Sequence, residues 1–508
     1  MNKKQSFRTA SSVILLVAFF GFITNLQAEK KPTTSQSVPP VVEKTSTTRH
    51  SITINGQAMD YLATAGYLTI EDDNGKPQAN MFFVAYEKID PKNKTRRPIT
   101  FAFNGGPGAS SIWLHLGAMG PMIVPFPNDG KSLPKHPTLE PNPQSWLEFT
   151  DMVFIDPVSS GYSRALPGID PKTFHNVQND IESLGSFIQL YLTRFGRWLS
   201  PIYITGESYG TTRAAGLADY LQDKLGIYPS GIIMISSVLD FQTIMYGREN
   251  DLAYALAVPT FTATAWYHKK LSPELQKDFA MTMAESEKWT LNDYWQALAQ
   301  GDALNDADRQ KIAEKMSQLT GLDKSYILLN NLRVANQQFI KELLKNNGIL
   351  LGLMDARVQA SDTQQAGEYP SYDPAFFLSI GPLTMAMNYY VRNDLKYVND
   401  LPYIYLSRSA NNQWNLHDEG RGYLTTGPRL QEAMTENPNL RVFFAGGYYD
   451  QTTPYFANIY MVNHLGLAKP LRKNIILQHY FSGHQLYTDP ATREKLQKDV
   501  KAFFEADR

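Results

Sequence analysis

The sequence predicts an α/β fold: a mostly parallel central sheet covered by helices, opened by antiparallel strands and interrupted by a mainly helical insertion. Three observations point there. Apolar β-type runs alternate with helical spacing from Ile99 to about Asp240. A block of polar helical patterns follows, from Phe241 to roughly Gly381, and strand–helix alternation then resumes before the C-terminus. Such alternation favours parallel strands joined by helical crossovers.

The elements follow in order. Lys3, Lys4 and Arg8 precede an apolar stretch from Val13 to Ile23, and Leu26-Gln27-Ala28 ends in a small residue, so residues 1–28 read as a cleaved export signal, with a retained anchor as the alternative. The stretch is shorter than the ~17–25 residues of a membrane span, so no stable membrane insertion is expected once the signal is removed. Residues 29–48 are rich in Pro, Thr, Ser and Lys and read as a flexible linker. The first part of the core is expected over 49–240. From Ser51 to Tyr86, β-prone runs separated by turns such as Asp73-Asn74-Gly75 suggest an antiparallel opening. Strands are then expected at Ile99–Phe103, Met152–Ile155, Ile202–Thr205 and Gly231–Ser236. Val177, Ile181, Leu184, Ile188 and Tyr191 mark an amphipathic helix between them. The insertion is placed at 241–385, with helices near Ser272–Trp289, Asn305–Leu319 and Ala335–Asn346. It is either a cap over the site or a separate packing domain. The second part of the core occupies 386–508, with strands at Leu440–Ala445 and Asn474–His479 and a helix at Thr492–Glu505.

Composition narrows the class. The 508 residues are 43% hydrophobic and 12% aromatic, ample for a large core. The formal charge is −1, and about −4 without the three leader cations. No basic tract points to nucleic acid. There is no cysteine. An exported protein of this size without disulfides is more typical of bacteria, so the periplasm or the outside medium is the expected destination.

Two glycine-rich motifs carry chemistry. Gly206-Glu207-Ser208-Tyr209-Gly210 follows the apolar run Ile202–Thr205 and precedes the helix-prone stretch Thr211–Leu225. Strand, tight turn and helix are the context of a nucleophile elbow, where Ser208 projects from the top of a sheet; in isolation, G-x-S-x-G can also be an ordinary turn. Asn104-Gly105-Gly106-Pro107-Gly108 leaves the run Ile99–Phe103. Adjacent glycines let backbone N–H groups face a cavity unobstructed, as an oxyanion hole requires. A plain Gly/Pro loop has the same composition. A phosphate loop does not: no Gly-Lys-Ser/Thr follows, and the G-x-G-x-x-G spacing is absent. No His-Glu-x-x-His or other metal-ligand spacing occurs, so neither metal nor cofactor is expected.

NGGPGASS, then Phe154-Ile155-Asp156-Pro157-Val158-Ser159-Ser160-Gly161-Tyr162-Ser163, then Gly-Glu-Ser-Tyr-Gly, in this order, resemble the serine carboxypeptidase family. The likeness extends to Ala65–Leu68, Phe82–Tyr86, Asn142–Trp146 and the C-terminal Gly-His segment, about two-thirds of the chain. It implies an α/β-hydrolase fold, with the helical insertion as a cap. The superfamily order of nucleophile, acid and base matches Ser208, Asp450 and His484. Asp450 follows Val442–Gly447, and His484 lies in Phe481-Ser482-Gly483-His484, each just past a strand. Asp240 and His479 compete for these roles. Asp240 also ends a strand, whereas His479 would lie within one and reads as a sheet residue. His115 and Asp156 fall in family motifs at positions that look structural.

The resemblance further implies an oxyanion hole from the backbone N–H groups of Gly106 and Tyr209. It also implies that Asn104, Gly105 and Glu207 bind the terminal carboxylate of a peptide substrate. A carboxyl can meet a carboxylate only when one of the two is protonated. Three departures qualify this. Ala118 stands where the family usually has a second Glu, Gln485-Leu486-Tyr487 replaces a Met-Val-Pro-like run, and Ala109 replaces a cysteine. The implied function is a serine-type carboxypeptidase acting on peptide or protein C-termini. An esterase or acyltransferase on the same scaffold is the alternative, and a non-catalytic binding protein the third class.

Overall fold

Residues 43–89, 96–416 and 422–506 are described in a computed structural model of the chain. The expected signal peptide, 1–28, and most of the expected linker lie outside these residues. Asn55 and Gly56 both take positive φ, 50° and 76°. They form the two-residue turn that matches strand twist and fold β1 (Thr45–Ile54) onto β2 (Gln57–Glu71). β1 therefore begins inside the stretch read as linker. Thr45 to Thr48 alternate between exposed and half-buried, with hydroxyl rather than apolar residues on the inner face.

β3 (Pro77–Lys88) completes the antiparallel opening. Five parallel strand pairings follow, among β4 (Ile99–Phe103), β5 (Asp151–Ile155), β6 (Ile202–Glu207), β7 (Gly231–Ile235), β8 (Arg441–Gly447) and β9 (Ile475–Tyr480). The spatial order is β1-β2-β3-β5-β4-β6-β7-β8-β9, and a two-residue strand, Arg164–Ala165, adds to β3. β5 joins the two halves, antiparallel to β3 and parallel to β4.

Successive side chains of the central strands serve two cores, as the pleat requires. Ile232 and Met234 of β7 pack with α1 (Val177–Phe195) and α2 (Tyr209–Leu225). Ile233 and Ile235 face the other way, toward a core that includes Leu496 and Val500 of the C-terminal helix. α1 is delimited by local chemistry. Asn176 accepts the Asn179 amide at 3.0 Å, and Gly196 ends the helix at φ 67°.

The insertion includes α3 (Asp251–Tyr267), α4 (Phe279–Trp289), α5 (Asp306–Thr320) and α6 (Asn336–Glu342). These helices share an apolar core of their own, containing Phe261, Met316 and Phe339. α7 (Pro374–Asn393) behaves differently: Ile380, Leu383, Met387 and Tyr390 pack into the main core. The expected boundary at 385 falls within this helix. α8 (Gly427–Glu436) and α9 (Pro490–Glu505) cover the two faces of the second half of the sheet.

Candidate active site

The C-terminal ends of β4, β6, β8 and β9 bring the sequence-predicted residues together. At the end of β6 the backbone of Ser208 takes φ 58° and ψ −130°, a conformation that costs an L-residue about 1–3 kcal/mol. The turn is tight because its glycines allow it. A Cβ on Gly206 would lie 2.2 Å from the Gly210 carbonyl oxygen, and one on Gly105 would lie 2.5 Å from the amides of Tyr209 and Gly210. The NGGPG loop is thereby pressed against the elbow.

Ser208 and His484 line one cavity of about 160 Å³, together with Asn104, Gly105, Gly106 and Glu207. Among the described residues no hydrogen bond joins the Ser208 and His484 side chains, a looseness common before substrate binds. Asp450 lies behind His484, fully buried, with Oδ2 2.7 Å from His484 Nδ1. Its other contacts hold it in place. Oδ1 accepts the amides of Thr452 and Thr453 at 2.8 and 3.0 Å, and Thr453 Oγ1 donates to Oδ2 at 2.6 Å. Burial pushes the His484 imidazole down, but the Asp450 charge and hydrogen bond outweigh it and hold the ring above its ordinary value. That is the arrangement of a base oriented by an acid.

Gly106 lines the cavity at φ 98°, and its neighbour Gly105 accepts the Ala109 amide at 3.1 Å. Tyr209 does not line it. Its ring turns away, donating to Asp180 Oδ2 at 3.1 Å and packing edge-on against Trp414. What Tyr209 offers the site is the first amide of α2, which has no intrahelical acceptor. Arg213, on the same helix, binds Asp180 at 2.8 Å and donates to the Asn104 carbonyl at 2.6 Å, tying the loop to the elbow from below. Burial pushes Glu207 up to about 7, against the His484 charge and the hydrogen bond from Tyr487.

Neither competing residue lines this cavity. Asp240 caps the turn that follows it, accepting the Gln242 amide at 2.9 Å. His479 lies within β9, where burial pushes it down to about 4. His115 is stacked on Phe154 and hydrogen-bonded to Tyr86, and burial pushes it down to about 3. Asp156 accepts from the Ser111 amide and hydroxyl, bracing the segment after NGGPG. Among the described residues no group of three His, Cys, Asp or Glu side chains is placed to hold a metal ion.

Several wall residues escape sequence reasoning. Met354 and Phe376 come from the insertion and α7, and Leu406 and Asn411 from the segment after it. Gln485 also lines the cavity, and its Nε2 is buried without a protein partner. Unlike the other four, it stands out in the sequence, as the first residue of the Gln485-Leu486-Tyr487 departure.

Sheet order and the strand–turn–helix elbow at Ser208 are those of an α/β-hydrolase fold. The chain belongs to the serine carboxypeptidase family, whose model matches residues 55–479. It is 30% identical over 170 residues to serine carboxypeptidase-like 20 of Arabidopsis thaliana, covering 33% of this chain and 32% of that protein. It is 30% identical over 149 residues to serine carboxypeptidase 1 of Hordeum vulgare, covering 28% of each. These alignments span about a third of the relatives' length. A solved prohormone-processing carboxypeptidase from Saccharomyces cerevisiae superposes with a TM-score of 0.56 at 15% identity, covering 88% of this chain and 91% of that one. That likeness establishes the α/β-hydrolase fold.

Proposed function

We propose that the protein is a serine-type carboxypeptidase that removes the C-terminal residue of peptides or proteins. The single observation that carries the reading is the cavity in which Ser208 and His484 meet Glu207 and the Asn104–Gly106 loop. His484 takes the Ser208 Oγ proton as Oγ attacks the scissile carbonyl carbon. The backbone N–H groups of Gly106 and Tyr209 donate to the oxyanion, and loss of one such donor typically costs ~3–4 kcal/mol in the barrier. His484 then protonates the leaving amine, which departs as the free C-terminal residue. Water, deprotonated by His484, attacks the acyl-enzyme and releases the shortened peptide. Asp450 orients the imidazole throughout. Asn104, Gly105 and a protonated Glu207 hold the terminal carboxylate.

Residues 1–28 have the charge and hydropathy pattern of an export signal, and we infer release into the periplasm or the outside medium. Among the described residues no helix is long and apolar enough to cross a membrane.

Incubating an N-blocked pentapeptide with the protein and following the products by mass spectrometry tests the reading. Stepwise loss of single residues from the C-terminus is expected. Internal cleavage, or turnover of simple esters without any peptide product, would favour the esterase or acyltransferase alternative.

A further inference from the structure

Glu207 is the buried carboxyl on the cavity wall, and one side of it is already satisfied. Its Oε2 accepts the Tyr487 hydroxyl at 2.6 Å. Both side chains are buried, Glu207 at 3% exposure and Tyr487 at 0%. The Tyr487 ring fits because Gly117 has no side chain; a Cβ there would lie 2.8 Å from the ring's Cε2. Ala118, the next residue, brings no carboxyl to the cluster. The Asn104 side chain lies beside both groups. Asn104 Oδ1 is held by the Leu114 amide at 3.1 Å.

We propose that Tyr487 is a positioning residue for recognition of the substrate's C-terminal carboxylate, fixing which oxygen of Glu207 faces it as a donor. A neutral carboxyl has one O–H donor and one carbonyl acceptor. Burial pushes the Tyr487 phenol well above its ordinary value, so it stays a donor. With Tyr487 donating to Oε2, the Glu207 proton resides on Oε1. Oε1–H is then free to donate to the incoming carboxylate. No proton is shared with a second acid. The charged or titratable groups facing Glu207 are His484 and Asp450 from the two triad loops, and Tyr487 itself. This inference rests on the carboxypeptidase reading above.

The test is Tyr487→Phe, which keeps the ring and removes only the hydroxyl. The readout is the ratio of kcat/KM for an N-blocked dipeptide to that for its C-terminal amide, followed from pH 5 to pH 9. Taking the ratio cancels His484, which both substrates need. At pH 5 the variant should lose about tenfold in the ratio, mostly through KM of the free acid, since a hydrogen bond of this kind is worth roughly 1–1.5 kcal/mol. The midpoint at which the ratio falls should move to higher pH, because ionised Glu207 loses a donor. In a Glu207→Gln background, Tyr487→Phe should produce no midpoint shift. A wild type that prefers the free acid, with the same ratio and midpoint in Tyr487→Phe, overturns this proposal alone. A shift that persists in Glu207→Gln overturns it too. A wild type with no preference for the free acid overturns the carboxypeptidase reading, and this proposal with it.

Discussion

The Met354 carbonyl accepts the His484 amide at 2.6 Å. Through this contact the segment following the insertion's helices grips the loop that carries the proposed base. The acid's loop is held from the same side: Gln451 donates its amide to Leu353, and Ala356 donates to the Tyr449 carbonyl, both at 3.0 Å. Gly483 makes the approach possible, since a Cβ there would lie 2.4 Å from that of Asp355. Asp373 fixes the segment from behind. It accepts the Leu353 and Met354 amides at 2.9 and 3.1 Å while capping α7. Backbone groups of residues 353–356 therefore fix the two loops that carry Asp450 and His484.

Arg357 is the anchor of that segment. Buried at 6% exposure, it binds Asp355 at 2.7 Å, Asp489 at 3.2 Å, the Ser482 hydroxyl and the Phe481 carbonyl. Removing one partner from buried ion pairs costs about 3–5 kcal/mol. Arg357→Ala should lower the denaturation midpoint accordingly and reduce kcat on esters and peptides alike. Arg357→Lys, which keeps the charge without the planar fork, should fall between. Equilibrium unfolding and turnover with two substrates check this. Wild-type stability and kcat in Arg357→Ala would refute the clamp.

The elbow conformation predicts different stabilities for two variants that both lose the nucleophile. Glycine tolerates the positive φ of Ser208, and alanine does not. Ser208→Gly should therefore be more stable than Ser208→Ala by about 1 kcal/mol, with both inactive. Urea denaturation of the two variants measures the difference. Equal midpoints would mean the elbow carries no strain.

Glu207 and His484 set the pH dependence in opposite senses. Acid protonates His484 and removes the base for every substrate. Rising pH ionises Glu207, which burial places at about 7, and expels a terminal carboxylate. The free-acid profile should be a narrow bell, its two apparent values belonging to the coupled pair. The preference for free acid over amide should fall as pH rises through about 7. A preference that grows toward alkaline pH would exclude Glu207 from carboxylate recognition.

What was legible in the sequence is what local backbone chemistry requires. Gly206 and Gly210 around Ser208, and Gly105-Gly106 beyond β4, have no other residue that fits. Asp450 and His484 stand out because each follows a strand. The clamp was invisible because Leu353, Met354 and Ala356 act through backbone groups, which any residue supplies. α3 gave no helical period because it is buried on nearly every side. α7 gave none because Phe377, Met385 and Tyr389 leave its outer face apolar too. The start of β1, Thr45 to Thr48, was read as linker because hydroxyl residues replace apolar ones on its inner face. Tyr487 was noticed as a departure, but its partner Glu207 lies 280 residues away.

The central claim is that Ser208 forms the acyl-enzyme in peptide hydrolysis. The most direct measurement is to label the protein with a fluorophosphonate, map the modified peptide by mass spectrometry and assay C-terminal residue release on the same sample. A single adduct on Ser208, with peptidase activity lost in proportion to labelling and absent in Ser208→Ala, is the predicted result. An adduct on another residue, or residue release that persists in Ser208→Ala, would contradict it.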